Sequence, residues 1–98
     1  MFRTPFVWEV QVRREILEDE IARLRELPHS LWRGMVSRPM LKTARGRDNR
    51  AYRVRTTAGW AFGGSQDIRV TVSLETPGLH RRLMSQSFVI TPENGFTE

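Results

Sequence analysis

The sequence predicts an α+β fold of two layers: a mostly antiparallel sheet of four to five strands with one main helix packed on one face. Three observations carry this. "DIRVTVSLE", residues 67–75, puts Ile68, Val70, Val72 and Leu74 on one side and Asp67, Arg69, Thr71, Ser73 and Glu75 on the other, the two-residue period of a half-buried strand. "REILEDEIARLREL", residues 14–27, sets Ile16, Leu17, Ile21, Leu24 and Leu27 at helical spacing. The rest of the chain breaks into short alternating runs separated by Gly, Asp, Asn and Pro, the punctuation of antiparallel hairpins.

The first element expected is a strand over 6–13, "FVWEVQVR", with Phe6, Trp8, Val10 and Val12 alternating against Val7, Glu9, Gln11 and Arg13. A helix competes for this stretch. Thr4-Pro5 is a good helix start, and Phe6, Val10, Leu17, Ile21 and Leu24 would share a helical face. The β-branched valines favour the strand, because they lose side-chain freedom in a helix.

The helix over 14–27 follows. Glu15, Glu18 and Asp19 lie early and Arg23 and Arg25 late, as the helix dipole prefers, and Pro28 ends it. Residues 29–36 make either a short helical turn with Ser30 as cap or an irregular segment. Strands over about 39–45 and 50–57 flank the turn "RGRDN". Residues 58–66 read as a loop, 67–75 as a strand, "TPG" as a type II turn, and about 83–90 as the last strand; "TPENGFTE" is turn-like. Ile68, Val70, Val72, Leu74, Tyr52, Val54, Phe88 and Ile90 are expected to face the helix.

Ninety-eight residues make a single domain, 1–98, with one modest core. The absence of cysteine excludes disulfides, thiolate catalysis and thiolate metal sites. No apolar run is long enough to span a bilayer, and "MFRTPFVWEV" has no signal-like core, so a soluble cytoplasmic protein is the expectation. The net charge of +5 is unevenly placed. Residues 1–32 hold five arginines against six acids, and residues 58–98 three against four; residues 33–57 hold seven arginines and a lysine against one aspartate. Such a segment attracts anions, nucleic acid among them.

The runs "TARGRDNRAYRVRTTAGW", "GGSQDIRVTVSLE" and "LMSQSFVITPENGF" resemble a family of small uncharacterised bacterial proteins. In that family a Gly-x-Asp hairpin precedes a tyrosine strand ending in tryptophan, followed by an Arg-Val strand and a Ser-Phe-Ile strand. The resemblance covers roughly residues 41–98. This chain has Ala61 where the family carries an aspartate, and Glu75-Thr76-Pro77-Gly78 where the family carries Asp-Asp-Gly-Gly. The family has no assigned activity, so the resemblance implies a fold and no chemistry.

Catalytic and metal-binding signatures are missing. His29 and His80 stand far apart with no acidic spacing around them and read as solvated loop residues. No serine sits in a nucleophile elbow, "GWAFGGS" lacks the Lys-Ser/Thr of a phosphate loop, and no carboxylate pair forms an acid–base couple. No catalytic residue, cofactor or metal is therefore assigned, and an enzyme is not expected.

Three functional readings remain. The first is a non-catalytic binding module whose partner is another protein or a second copy of the chain. The second is nucleic-acid binding through residues 33–57 and Arg69: Arg53 and Arg55 share a strand face with Arg69, and Arg45, Arg47 and Arg50 crowd the hairpin tip, suited to phosphate contacts. An ordinary solvated arginine face, partly neutralised by Glu75 or Asp67, is the competing account. The third is a partner or ligand patch at Trp60 and Phe62, with Glu20 as an acid caught inside the helix stripe. Against it, aromatics beside glycines usually close a core, and a stripe-edge Glu usually reaches solvent or bonds an arginine from the sheet. No membrane partner is expected.

Overall fold

A computed structural model describes residues 5–63, 65–76 and 81–97. Two helices, α1 (Pro5–Leu24) and α2 (His29–Arg33), precede five strands: β1 (Met40–Arg45), β2 (Ala51–Trp60), β3 (Ile68–Thr76), β4 (Arg81–Ile90) and the short β5 (Phe96–Thr97). The strands form one antiparallel sheet in chain order, β1-β2-β3-β4-β5. This is the expected α+β arrangement, with four long strands and a two-residue fifth.

The stretch 6–13 is helix and not strand, so one helix of 20 residues replaces the expected strand and the shorter helix 14–27. Nucleating a helix is costly and extending one is cheap. Once 14–24 is helical, each residue added backward gains a backbone bond, and proline at the first position is already set for it. Val12 then falls on the buried face with Leu17, Ile21 and Leu24. At the other end α1 stops at Leu24, short of the expected Leu27. The backbone N–H groups of Glu26 and Leu27 bond to the carbonyls of Arg23 and Leu24, an i→i+3 tightening that closes the chain down before Pro28. Pro28, in extended conformation, caps α2; Ser30 lies within that helix and is not its cap.

The inward face of the sheet is built as its alternation requires. Tyr52 and Val54 of β2, Ile68, Val70, Val72 and Leu74 of β3, and Phe88 and Ile90 of β4 are all buried under α1 and Trp32 of α2. In the register, Val54 lies opposite Leu74, and Val70 and Ile68 lie opposite Phe88 and Ile90, so the apolar rows coincide. Each side chain fully removed from water here contributes about 1.5–3 kcal/mol. β2 extends through Trp60, taking in three residues read as loop, because Ala58 and Trp60 still pair with Val70 and Ile68.

Two hairpins are closed by one device. In β1–β2, Gly46 N–H bonds to the Arg50 carbonyl and Asn49 N–H to the Gly46 carbonyl, with Asn49 at φ 66°. In β4–β5, Thr91 N–H bonds to the Gly95 carbonyl and Asn94 N–H to the Thr91 carbonyl, with Asn94 at φ 67°. Each is a three-residue loop ending in a left-handed residue, for which asparagine is well suited. Gly46 is required by close packing. A Cβ there would lie 2.6 Å from an Asp48 carboxylate oxygen and 2.8 Å from Val12 of α1.

His29 is buried, not solvated: its backbone N–H donates to Asn94 Oδ1 (2.8 Å), and its ring Nε2 donates to the Gln66 carbonyl (2.7 Å). It ties α2 to the β2–β3 loop and to the β4–β5 turn. His80 and the "PG" of the expected type II turn lie outside the described residues.

Candidate interaction surface

The basic segment folds into two separate places. At the β1–β2 tip, Arg47 makes a two-pronged contact with Glu15 of α1 (2.7 and 3.0 Å), and Arg50 pairs with Glu9 of the same helix (3.2 Å). Arg45 donates to the Asn49 carbonyl at 2.8 Å. The hydrogen bonds from Arg47 hold the Glu15 carboxyl below its ordinary range and raise Arg47 in turn. Beneath the tip, the Tyr52 hydroxyl donates to Asp48 Oδ2 at 2.7 Å. Burial by itself would raise the Asp48 carboxyl; the Tyr52 hydroxyl, backbone N–H groups and the Arg50 charge outweigh it and bring it below its ordinary 3.8. Burial, together with the Asp48 carboxylate, pushes the Tyr52 hydroxyl above its ordinary 10.0.

The second place is the outward face of the sheet. Arg53 lies directly across from Glu75, and Arg55 Nε donates to Glu75 Oε2 at 2.8 Å. Glu75 is only 8% exposed, and Ser73 and Val89 on the same face are buried as well. Arg69 shares this face, across from Gly59, but stands four residues along β3 from the level of Arg55, about 13 Å away. Arg69 has no side-chain partner among the described residues.

Glu20 sits inside the buried stripe of α1, as its spacing requires, and is 8% exposed. Its Oε1 pairs with Lys42 of β1 at 2.7 Å and its Oε2 with Arg23 of its own helix. A buried carboxylate is tolerated only when matched, and here both oxygens are. Lys42 carries no weight in the sequence reading; its signal was its place in the alternation, on the same side as Met40 and Ala44, which becomes legible only once β1 is registered against Tyr52 and Val54.

The pairing bridges a gap. α1 packs over β3 and β4, leaving the inward face of β1 half uncovered. Two adjoining recesses of about 190 and 250 Å³ open there, on either side of the Glu20–Lys42 bridge. Their floor is Met40 and Val54 in one, Ile16 and Ala44 in the other.

Trp60 and Phe62 are 48% and 54% exposed at the end of β2. They do not join Glu20: Thr56 lines the recess beside Glu20, and Trp60 is four residues further along β2, about 13 Å. Among the described residues, no cluster of three or more His, Asp or Glu side chains is able to hold a metal ion, and no helix is long and apolar enough to cross a membrane. Comparison of the chain with known family descriptions, with curated proteins and with solved structures finds no match in any of the three. The geometry alone therefore carries the functional reading.

Proposed function

We propose that this chain is a non-catalytic interaction module that binds protein. The observation supporting it is that both helices lie on one side of the sheet, so that no described element layers over the other, while Arg55 on that face and Arg47 and Arg50 at the hairpin tip already stand beside carboxylates. A mixed polar face carrying exposed Leu41, with exposed Trp60 and Phe62 at the far end of β2, has the composition of an ordinary protein-binding surface, in which aromatics are enriched. Nucleic-acid binding needs cations available to phosphate; among the six arginines proposed for it, Arg47, Arg50 and Arg55 are engaged by Glu15, Glu9 and Glu75.

A filter-binding titration against generic single-stranded RNA and duplex DNA at two salt concentrations tests this. The module reading expects no salt-sensitive retention. Retention that weakens with salt and is lost in an Arg53→Ala/Arg55→Ala double variant would replace it with the nucleic-acid reading.

A further inference from the structure

We infer that the groove between α1 and the edge strand β1 binds an extended acidic peptide segment by strand addition; this deepens the interaction-module reading and rests on it. β1 is the first strand of the sheet and pairs only with β2 among the described residues. In an antiparallel ladder, residues alternate between bonding the partner strand and presenting N–H and C=O to the other side. Gly46 bonds Arg50, so counting back from it, Ala44, Lys42 and Met40 bond β2, while Leu41, Thr43 and Arg45 present their backbone groups at the free edge. An extended segment laid along that edge completes the ladder, a known mode of peptide recognition.

The side chains of the added strand select its sequence. Every second residue points under the sheet into the groove beside α1, opposite Met40, Lys42 and Ala44 in turn. The outer two of these positions meet the apolar floors formed with Val54 and with Ile16. The middle one meets Lys42 and Arg23, two half-exposed cations that share the single carboxylate of Glu20. Each uses one donor on Glu20 and keeps others for an incoming acceptor. With Asp19 and Arg45 included, the groove holds three cations against two acids. The fitting segment is therefore apolar–x–acidic–x–apolar. Each recess is smaller than the roughly 300–1,000 Å³ of a small-molecule site but suits one side chain at a time.

The test uses a blocked peptide, Ac-Ser-Val-Thr-Glu-Thr-Val-Ser-NH₂, titrated into the full chain labelled with ¹⁵N. Binding is expected to move the amide signals of Leu41, Thr43 and Arg45. Replacing the central glutamate of the peptide by lysine is expected to weaken binding about fivefold. Thr43→Pro removes one edge donor without touching a β1–β2 bond, and is expected to weaken binding roughly tenfold or more with the amide spectrum elsewhere retained. Thr43→Val serves as the control that keeps the donor and is expected to bind as the parent does. Shifts confined to the outer edge of β4, equal binding of the lysine peptide, or no binding at all would overturn the groove assignment. None of these touches the module reading, which falls only if salt-sensitive nucleic-acid binding appears.

Discussion

Glu20 and Glu75 are equally hidden, each 8% exposed, yet they lie on opposite faces of the sheet and do different work. Glu20 sits on the apolar side and joins two elements, α1 and β1, that otherwise pack poorly together. Glu75 sits on the polar side and joins two strands already hydrogen-bonded to each other, β2 and β3. A carboxylate among apolar groups gains from being matched because its alternative is desolvation without compensation. A carboxylate paired with a cation that is one-third exposed gains less in stability, but it cancels charge that would otherwise define the surface.

The largest test of this contrast is across β3 itself. Leu74→Ala empties a fully buried site on the inward face and is expected to cost about 2–5 kcal/mol, whereas Ser73→Ala beside it should stay within about 1 kcal/mol. Urea unfolding of both variants checks it; similar losses for the two would mean that the sheet is not one-sided.

Gly46→Ala should follow, at about 1–3 kcal/mol, because its methyl group meets Asp48 and Val12 at once. The same unfolding experiment reads it, and a stability equal to that of the parent chain would place α1 farther from the hairpin than described.

Glu20→Ala and Glu75→Ala should each cost roughly 0.5–1.5 kcal/mol, discounted because the partner cations are partly exposed. Leucine separates the two sites. Glu20→Leu should recover most of the loss by covering the apolar floor beside Met40 and Val54; Glu75→Leu should not, since it leaves the partly buried Arg55 beside an apolar group without its carboxylate. Recovery at both positions would remove the contrast between the two carboxylates.

The smallest effect concerns protons. Asp48 titrates below its ordinary 3.8 in the fold, so its contribution is present above that pH and is lost as pH falls through the folded value. Tyr52 titrates above 10.0, so its contribution is present below that pH and is lost as pH rises through the folded value. Asp48→Asn should flatten the acid limb of a stability–pH curve, and Tyr52→Phe the alkaline limb, at a cost of about 1 kcal/mol near neutrality for the lost hydrogen bond. Unchanged limbs in both variants would remove the pair from the account.

What the sequence by itself determined is local and periodic. Alternation named the inward apolar row Tyr52, Val54, Ile68, Val70, Val72, Leu74, Phe88 and Ile90, helical spacing named Leu17, Ile21 and Leu24, and Asp48-Asn49 marked a hairpin. These features are set by covalent geometry, which repeats every two or 3.6 residues whatever else the chain does. The tertiary structure decided the rest. Residues 6–13 alternate like a strand, but an adjoining helix extends through them more cheaply than a separate strand would form. His29 reads as solvated and is buried, as Trp32 is, because burial there depends on Asn94, Gln66 and the core arriving from distant parts of the chain. The basic segment could be read either as an open patch or as a face partly neutralised by Glu75 or Asp67, and only the fold decides between them. Its charges were visible, but Glu9, Glu15 and Glu75 lie 20 to 41 residues from the arginines they meet, and no local pattern encodes a meeting between residues so far apart.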